Sequence, residues 1–262
     1  MSRAAAVGPG QLVADRYRVG SPLGCGGLAE DEMLQRPVAL RGYHVREPDR
    51  DDAGVLNEAR AVARVDHPGL VGIYDVVRQG DVLWIVMEPL TGHSLAHILS
   101  VDGPLPIHRA TDIGLRLLDV LKAVHQAGIV HRDVRPANVQ VCADGRVVLT
   151  GFGIASFSGV PTDTRSGTPG YISPEQARGR KPDPRADLYS FGATLFAGVE
   201  GHPPFDRGEW SDSFLAVLRG TPPRTGRLGP IIDGLLAKHP ERRPTADEAK
   251  AALTEIRQLD SD

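Results

Sequence analysis

Apolar residues alternate with polar ones early in the chain and recur every three or four residues later, so the pattern predicts strands first and helices after. Arg16 to Leu23 reads as a strand running into a glycine cluster, and Arg36 to Val45 as another, with Val38 and Leu40 on one face. Asp52 to Val65 carries Val55, Ala59, Val62 and Val65 at helical spacing, and Asp66-His67-Pro68 stops it. Val71 to Val77 and Val82 to Glu88 predict a strand pair around the turn Gln79-Gly80-Asp81. Ile113, Leu117, Leu121 and Val124 mark the buried stripe of a long helix ending near Gly128. A short hairpin follows over Val139 to Thr150, turning at Asp144-Gly145. A loop rich in Gly, Ser, Thr and Pro runs from Gly151 to about Pro174, and Asp187 to Val199 reads as a core helix. Thr245 and Glu248 form a capping box in front of a last helix, Ala246 to Leu259. The predicted class is α+β: a small strand-rich part, then a larger helical part, an arrangement in which ligands often bind between the two.

Composition narrows the classes further. A chain of 262 residues can build one large domain or two smaller units, each with a core. The net charge of -3 offers no electrostatic reason to bind nucleic acid or an anionic membrane. Cys25 and Cys142 are far apart and lack metal-ligand spacing, so neither a disulfide framework nor a zinc site is expected, and a reducing cytoplasm fits. The uncharged stretch Leu188 to Val199, bounded by Asp187 and Glu200, falls well short of the roughly 20 residues that span a bilayer. Met1 to Gly10 has small residues but no apolar signal core. Residues 1–14 therefore read as a flexible tail, 260–262 as a second short tail, and the chain as a soluble cytoplasmic protein.

The most specific motif is His131-Arg132-Asp133-Val134-Arg135-Pro136-Ala137-Asn138, between the long helix and the hairpin. It resembles the H-R-D-x-x-x-x-N catalytic loop of protein kinases, in which the Asp takes the substrate hydroxyl proton and the Asn holds a magnesium ion. Other kinase-like marks fall in order around it. Glu58 sits on the predicted helix where the family carries the glutamate that pairs with its strand lysine. Met87-Glu88-Pro89-Leu90 resembles the hinge whose backbone reads adenine, and Gly24, Gly26 and Ala39 fall at nucleotide-binding positions. Gly167 to Glu175 resembles the peptide-docking loop that ends in A-P-E, here Ser173-Pro174-Glu175. Asp187 matches the aspartate that opens the core helix, and Arg243 the arginine that pairs with the A-P-E glutamate. The resemblance, from about Asp15 to Leu259, is to the bacterial, eukaryotic-like serine/threonine kinases. It implies a two-lobed domain over 15–259, with an N-lobe at about 15–88, a hinge at 88–92 and a C-lobe at 93–259.

The chain departs from that pattern where phosphate and metal would be held. The family's Asp-Phe-Gly is Gly151-Phe152-Gly153 here, and glycine offers no ligand for magnesium. The strand lysine is Arg41, in Val38-Ala39-Leu40-Arg41. Arginine keeps the charge for Glu58, but its planar fork crowds the phosphate space. The glycine loop, Leu23-Gly24-Cys25-Gly26-Gly27-Leu28-Ala29, ends in Ala29 rather than Gly. After Glu30 the family would have several more residues, so most of the second strand is expected to be missing. Glu30, Asp31 and Glu32 then form either a solvated acidic turn or negative charge near the phosphates. Gln140 puts an amide where the family has an apolar floor under adenine.

Asp133 with Asn138 and Arg135 is the remaining catalytic set, with no metal ligand expected beyond Asn138. ATP is expected to bind weakly or not at all, and magnesium not to bind. These residues leave three functions open. One is a pseudokinase scaffold docking an active kinase, a phosphopeptide-reading domain or another signalling protein, with Thr162, Thr164 and Thr168 as candidate phosphorylation sites. The others are an atypical active kinase and a metal-independent nucleotide sensor.

Overall fold

The computed structural model of the protein describes residues 8–23, 26–44, 48–152, 169–223 and 225–259. They divide into two compact units, one drawn from Met1–Asp66 and Val71–Thr91 and the other from His67–Leu70, Gly92–Phe152 and Thr164–Asp262.

The first unit is a sheet with one helix. Its elements are β1 (Leu12–Val13), β2 (Tyr17–Leu23), β3 (Gly26–Asp31), β4 (Arg36–His44), α1 (Pro48–Ala63), β5 (Ile73–Gln79) and β6 (Val82–Met87). The strands lie in the order β1-β2-β3-β4-β6-β5, all antiparallel. On β4, Val38 and Leu40 point to the packed face, where they meet Val19, Ala29, Trp84 and Val86. Each such side chain contributes roughly 1.5–3 kcal/mol when fully buried. Gly42 lets Trp84 lie flat against the strand, since a Cβ there would come within 2.9 Å of the indole.

Two expectations fail in this unit. Residues 8–14 are not a loose tail: Leu12 and Val13 pair with Arg18 and Tyr17, and Val13 is fully buried in the sheet core. The buried valine and backbone bonds from Gly10 to Val19 and from Val19 to Gln11 dock a two-residue strand that is too short to show alternation. The second strand is also present. Gly26 to Asp31 pairs along its whole length with both β2 and β4. Ala29, read as the end of a loop, is a buried strand residue opposite Val19 and Val38.

The acids at the end of β3 divide. Glu30 is exposed and Glu32 pairs with Arg18, also exposed. Asp31 is fully buried instead, taking both arms of the Arg16 guanidinium at 2.8 Å. It lies five residues beyond Gly26, a rise of about 16 Å along the strand, so it belongs to the far turn of the sheet and not to the glycine end.

The second unit opens with β7 (Gly92–Ser94) and continues through α2 (Leu95–Asp102), α3 (Ile107–Gln126), β8 (Val139–Cys142) and β9 (Val147–Leu149). It then runs through α4 (Pro174–Ala177), α5 (Pro184–Glu200), α6 (Trp210–Arg219), α7 (Gly229–Leu235) and α8 (Ala246–Leu259). β8 and β9 form the expected hairpin, with β7 on its outer edge. α5 is buried from Ala186 to Gly198; its N-terminus is capped by Asp183 and its C-terminus closes at Gly201 with φ +80°. α3 buries its apolar stripe, Ile113, Leu117, Leu121 and Val124, and is tied to α8 by Lys122–Asp247 and Lys250–Asp119 ion pairs. The Thr245–Glu248 box forms in full: the Thr245 hydroxyl accepts from the Glu248 N–H, and the Glu248 carboxylate accepts from the Thr245 N–H at 2.7 Å. Among the described residues no helix is long and apolar enough to cross a membrane.

Candidate functional site

The loop between α3 and β8 is suspended from one buried carboxylate. Asp187, in the first turn of α5, accepts the backbone N–H of His131 at 2.8 Å and of Arg132 at 2.7 Å. The Nε2–H of His125 gives it a third donor at 2.8 Å. With no exposure to solvent, this charge would be costly unless so satisfied. The bonds also hold Arg132 at φ +70°, a left-handed conformation that costs a non-glycine residue about 1–2 kcal/mol.

The next residues build outward from that anchor. His131 Nδ1 accepts the Asp133 N–H, which leaves Nε2 protonated to donate to the Thr150 carbonyl at 2.9 Å. The imidazole packs 4.4 Å from the Phe152 ring. Asn138 donates through Nδ2 to the Asp133 carbonyl and to Asp133 Oδ2, both at 2.8 Å. The other carboxylate oxygen, Oδ1, faces Arg135 Nε at 3.2 Å. The one acid on this loop is therefore held on both oxygens by neighbours.

Residue 151 closes the arrangement. Gly151 has φ +75°, and a Cβ built on it would lie 2.4 Å from Asn138 Oδ1 and 2.6 Å from Cγ. The Asn138 amide fills the space in which a side chain at 151 would begin, and it is pinned there by its bonds to Asp133. A hard dication such as magnesium prefers carboxylate and water oxygens in octahedral geometry. Here it would find a neutral amide oxygen, no ligand at 151, and a carboxylate already engaged. The residues present do not fit a divalent ion, and among the described residues no cluster of three His, Cys, Asp or Glu is placed to hold one.

The wall below the loop is tightly paired. Arg243 donates to Glu175 through two nitrogens at 2.6 and 2.8 Å, and also to the carbonyls of Ala237 and Arg185. Burial pushes the Glu175 carboxyl up, but the Arg243 fork, joined by the group's own N–H and Ser173, outweighs it and holds the group below the usual carboxylate range. Gln176 ties α4 to the catalytic loop through the Arg132 carbonyl at 3.0 Å, and Ser190 on α5 donates to the Tyr171 carbonyl. Burial pushes the Tyr171 phenol up to about 12, against the opposing pull of Arg135.

The nucleotide-side positions lie in the first unit. Ala39 and Arg41 alternate with the core residues of β4 and so share its other face with their partners across the sheet, Leu28 and Gly26 on β3, Met87 and Ile85 on β6. Arg41 is half-buried with its guanidinium 5.5 Å from the Tyr43 ring. Glu58 is buried on α1. Met87, Glu88 and Leu90 are half-buried, and the Glu88 N–H donates to Gly72. In the second unit, Gln140 is half-buried on β8, between Ser94 and Val148. Gly24, Thr162, Thr164 and Thr168 lie outside the described residues.

The structure thus brings Asp133, Arg135, Asn138 and Gly151 into one cluster, and Glu175 and Arg243 into one pair. Sequence reasoning missed the Asn138–Gly151 contact and the pairing of the half-buried Arg16 with the buried Asp31. The first depends on a backbone dihedral, and the second on a strand that was not expected.

Comparison with known proteins gives the same lineage. The family model described as protein kinase domain matches residues 27–253. Serine/threonine-protein kinase PknB of Mycobacterium leprae is 36% identical over 270 residues, which cover 93% of this chain and 43% of that protein. Serine/threonine-protein kinase PknL of Mycobacterium bovis is 36% identical over 255 residues, covering 93% of this chain and 61% of the relative. The chain spans less than two thirds of the length of either. By its catalytic-loop geometry, its family match and these relatives, the chain belongs to the bacterial, eukaryotic-like serine/threonine protein kinase family.

Proposed function

We propose that this chain is a pseudokinase: a kinase-fold domain without metal-dependent phosphoryl transfer that acts by binding other signalling proteins. The observation that carries this reading is the Asn138 amide seated where a residue-151 side chain would start. Phosphoryl transfer is chiefly positioning and charge stabilisation, so the ion that bridges the phosphates supplies much of the rate. Losing one preorganised electrostatic contact costs roughly 10²–10³ in rate. Loss of the metal ligand at 151 and of the strand lysine, replaced by Arg41, would together cost about 10⁴–10⁶ if independent. An ordinary kinase at roughly 1–100 s⁻¹ would be left with negligible turnover. Asp133 does not compensate, since a base without a held phosphate has nothing to deliver a hydroxyl to.

The framework that would present a surface to a partner, Asp187 with the loop and Glu175 with Arg243, is fully bonded. A scaffold needs that framework and not the metal. Thr162, Thr164 and Thr168 are proposed as residues through which a partner kinase could tune docking, since a phosphate there adds charge and three acceptor oxygens.

The test pairs thermal shift in ATP, with and without magnesium, with labelled-phosphate transfer by the wild type and by Asp133→Asn. The expected result is no magnesium-dependent shift and no transfer. A magnesium-dependent shift together with transfer that disappears in Asp133→Asn would overturn the proposal in favour of an active enzyme. A shift indifferent to magnesium would replace the scaffold by a nucleotide sensor.

A further inference from the structure

Away from the catalytic loop, the turn after α4 faces the segment joining α7 to α8 across a cavity of about 410 Å³. We infer that this cavity is a binding site for a phosphomonoester, with Arg178, Arg180 and Lys238 as the groups that take its oxygens. The inference does not depend on whether the domain transfers phosphate.

The charge on the walls is lopsided. Arg178, Arg180 and Lys238 line the cavity, and among the described residues none of the three pairs with a carboxylate. Of the two acids on the walls, one is fully engaged and the other sits at the exposed rim. Glu175 gives both oxygens to Arg243, and Glu241 lies 3.5 Å from His239 Nδ1. Among the described residues the site therefore gathers two arginines without a carboxylate partner and a lysine around a concave space, an arrangement that focuses positive potential on whatever enters.

The donors are also held in place. The turn carrying the two arginines is closed by three backbone bonds: Arg178 N–H to Pro174, Gly179 N–H to Gln176 and Arg180 N–H to Glu175. Gly179, at φ +70°, separates the arginines so that both side chains leave from one fixed turn. Lys238 is half-buried over the Phe205 ring at 3.7 Å, its Nζ donating to the last carbonyls of α6 at Val217 and Ala216. Burial, and after it the nearby Arg243 and Arg178, pull that ammonium down to about 7. Two guanidinium forks and an ammonium provide at least three donor groups, which suits the three terminal oxygens of a phosphomonoester. A single carboxylate would leave one cation unmatched.

The experiment titrates the whole chain with inorganic phosphate, with a phosphothreonine peptide and with the same peptide unphosphorylated, following arginine side-chain NMR signals or calorimetry. Saturable binding of both phosphate probes is expected, and the Arg178→Ala/Arg180→Ala double variant should weaken it by at least about tenfold. Both arginines are exposed, and among the described residues neither side chain bonds to another group, so the variant should keep its urea midpoint. Lys238→Gln supplies a second variant, expected to weaken phosphate by a smaller factor. A phosphopeptide that binds more tightly than inorganic phosphate would mark a protein-borne group, and equal binding a free one; either supports the site. Non-saturating binding, equal affinity in the double variant, or equal binding of the unphosphorylated peptide would overturn it.

Discussion

The two sides of the catalytic loop are built to different standards. On the side facing α5, every buried charge is answered: Asp187 holds two backbone N–H groups and His125, and Glu175 holds the Arg243 fork. On the side facing residue 151, the only carboxylate among the described residues is turned onto its own loop, and residue 151 is a glycine packed against Asn138. The polar groups that shape a kinase-like loop and the polar groups that hold an ion are thus separable sets. On the proposed reading, this chain keeps the first in full and has lost the second. Stability measurements on each side can break that comparison, because the shaping set predicts large losses and the ion side small ones.

The largest effect is expected at Glu175. Its replacement by alanine leaves the Arg243 guanidinium buried without a counter-ion, and removing one partner of such a pair costs about 3–5 kcal/mol. Urea denaturation would read it directly. The double variant Glu175→Leu/Arg243→Met should recover most of the loss, because apolar groups of similar size leave no charge stranded. A loss below about 1 kcal/mol for Glu175→Ala would mean that the pair does not anchor α4, and the comparison would fail on its stronger side.

A smaller loss is expected at Gly151. Alanine there meets a positive φ, costing about 1–2 kcal/mol, and drives a methyl into the Asn138 amide. The two contributions separate in a double-mutant cycle with Asn138→Ala. Once the amide is gone the Gly151→Ala cost should fall to the dihedral part alone, a coupling of about 1 kcal/mol. Strict additivity would show that the amide does not occupy the side-chain space at 151, and would remove the main support for an ion-free site.

What the sequence disclosed follows the same divide. The catalytic loop was legible as a distinctive motif with a helix before it and a hairpin after, and Asp187, Glu175 and Arg243 were legible through the family resemblance, each falling in order at a motif position. The two-part α+β order and the limits of β2, β4, β6 and α8 were legible from periodicity, whereas the short or less regular α2, α4, α6 and α7 were not anticipated. The Asn138–Gly151 contact was not, because it joins residues thirteen apart through one dihedral angle. β3 was hidden by an inverted pattern. Its buried positions are Gly27, Ala29 and Asp31, and its outward ones Leu28 and Glu30, so the hydrophobic alternation points the wrong way. The cation-lined cavity was hidden because its walls come from segments about sixty residues apart in sequence.

Asp31 carries the smallest expected effect and turns that misreading into a measurement. Arg16 donates to both its oxygens, and the N–H groups of Leu34 and Met33 add to the same side. Led by the Arg16 fork and against the opposing effect of burial, these hold the carboxyl below the usual carboxylate range. A group depressed in this way stabilises the fold fully above its unfolded pKa of about 4, and that contribution drains away as pH falls through the folded value. Asp31→Asn should therefore lower the urea midpoint by on the order of 0.5 M at pH 7 and leave it nearly unchanged at the acid end of the transition. The other depressed carboxyls, among them Glu175 and Glu248, titrate alike in both proteins and cancel in the difference. Equal midpoints for the two proteins at pH 7 would mean that Asp31 is not the knot of the far turn. The acids of β3 would then revert to the solvated turn that the sequence alone allows.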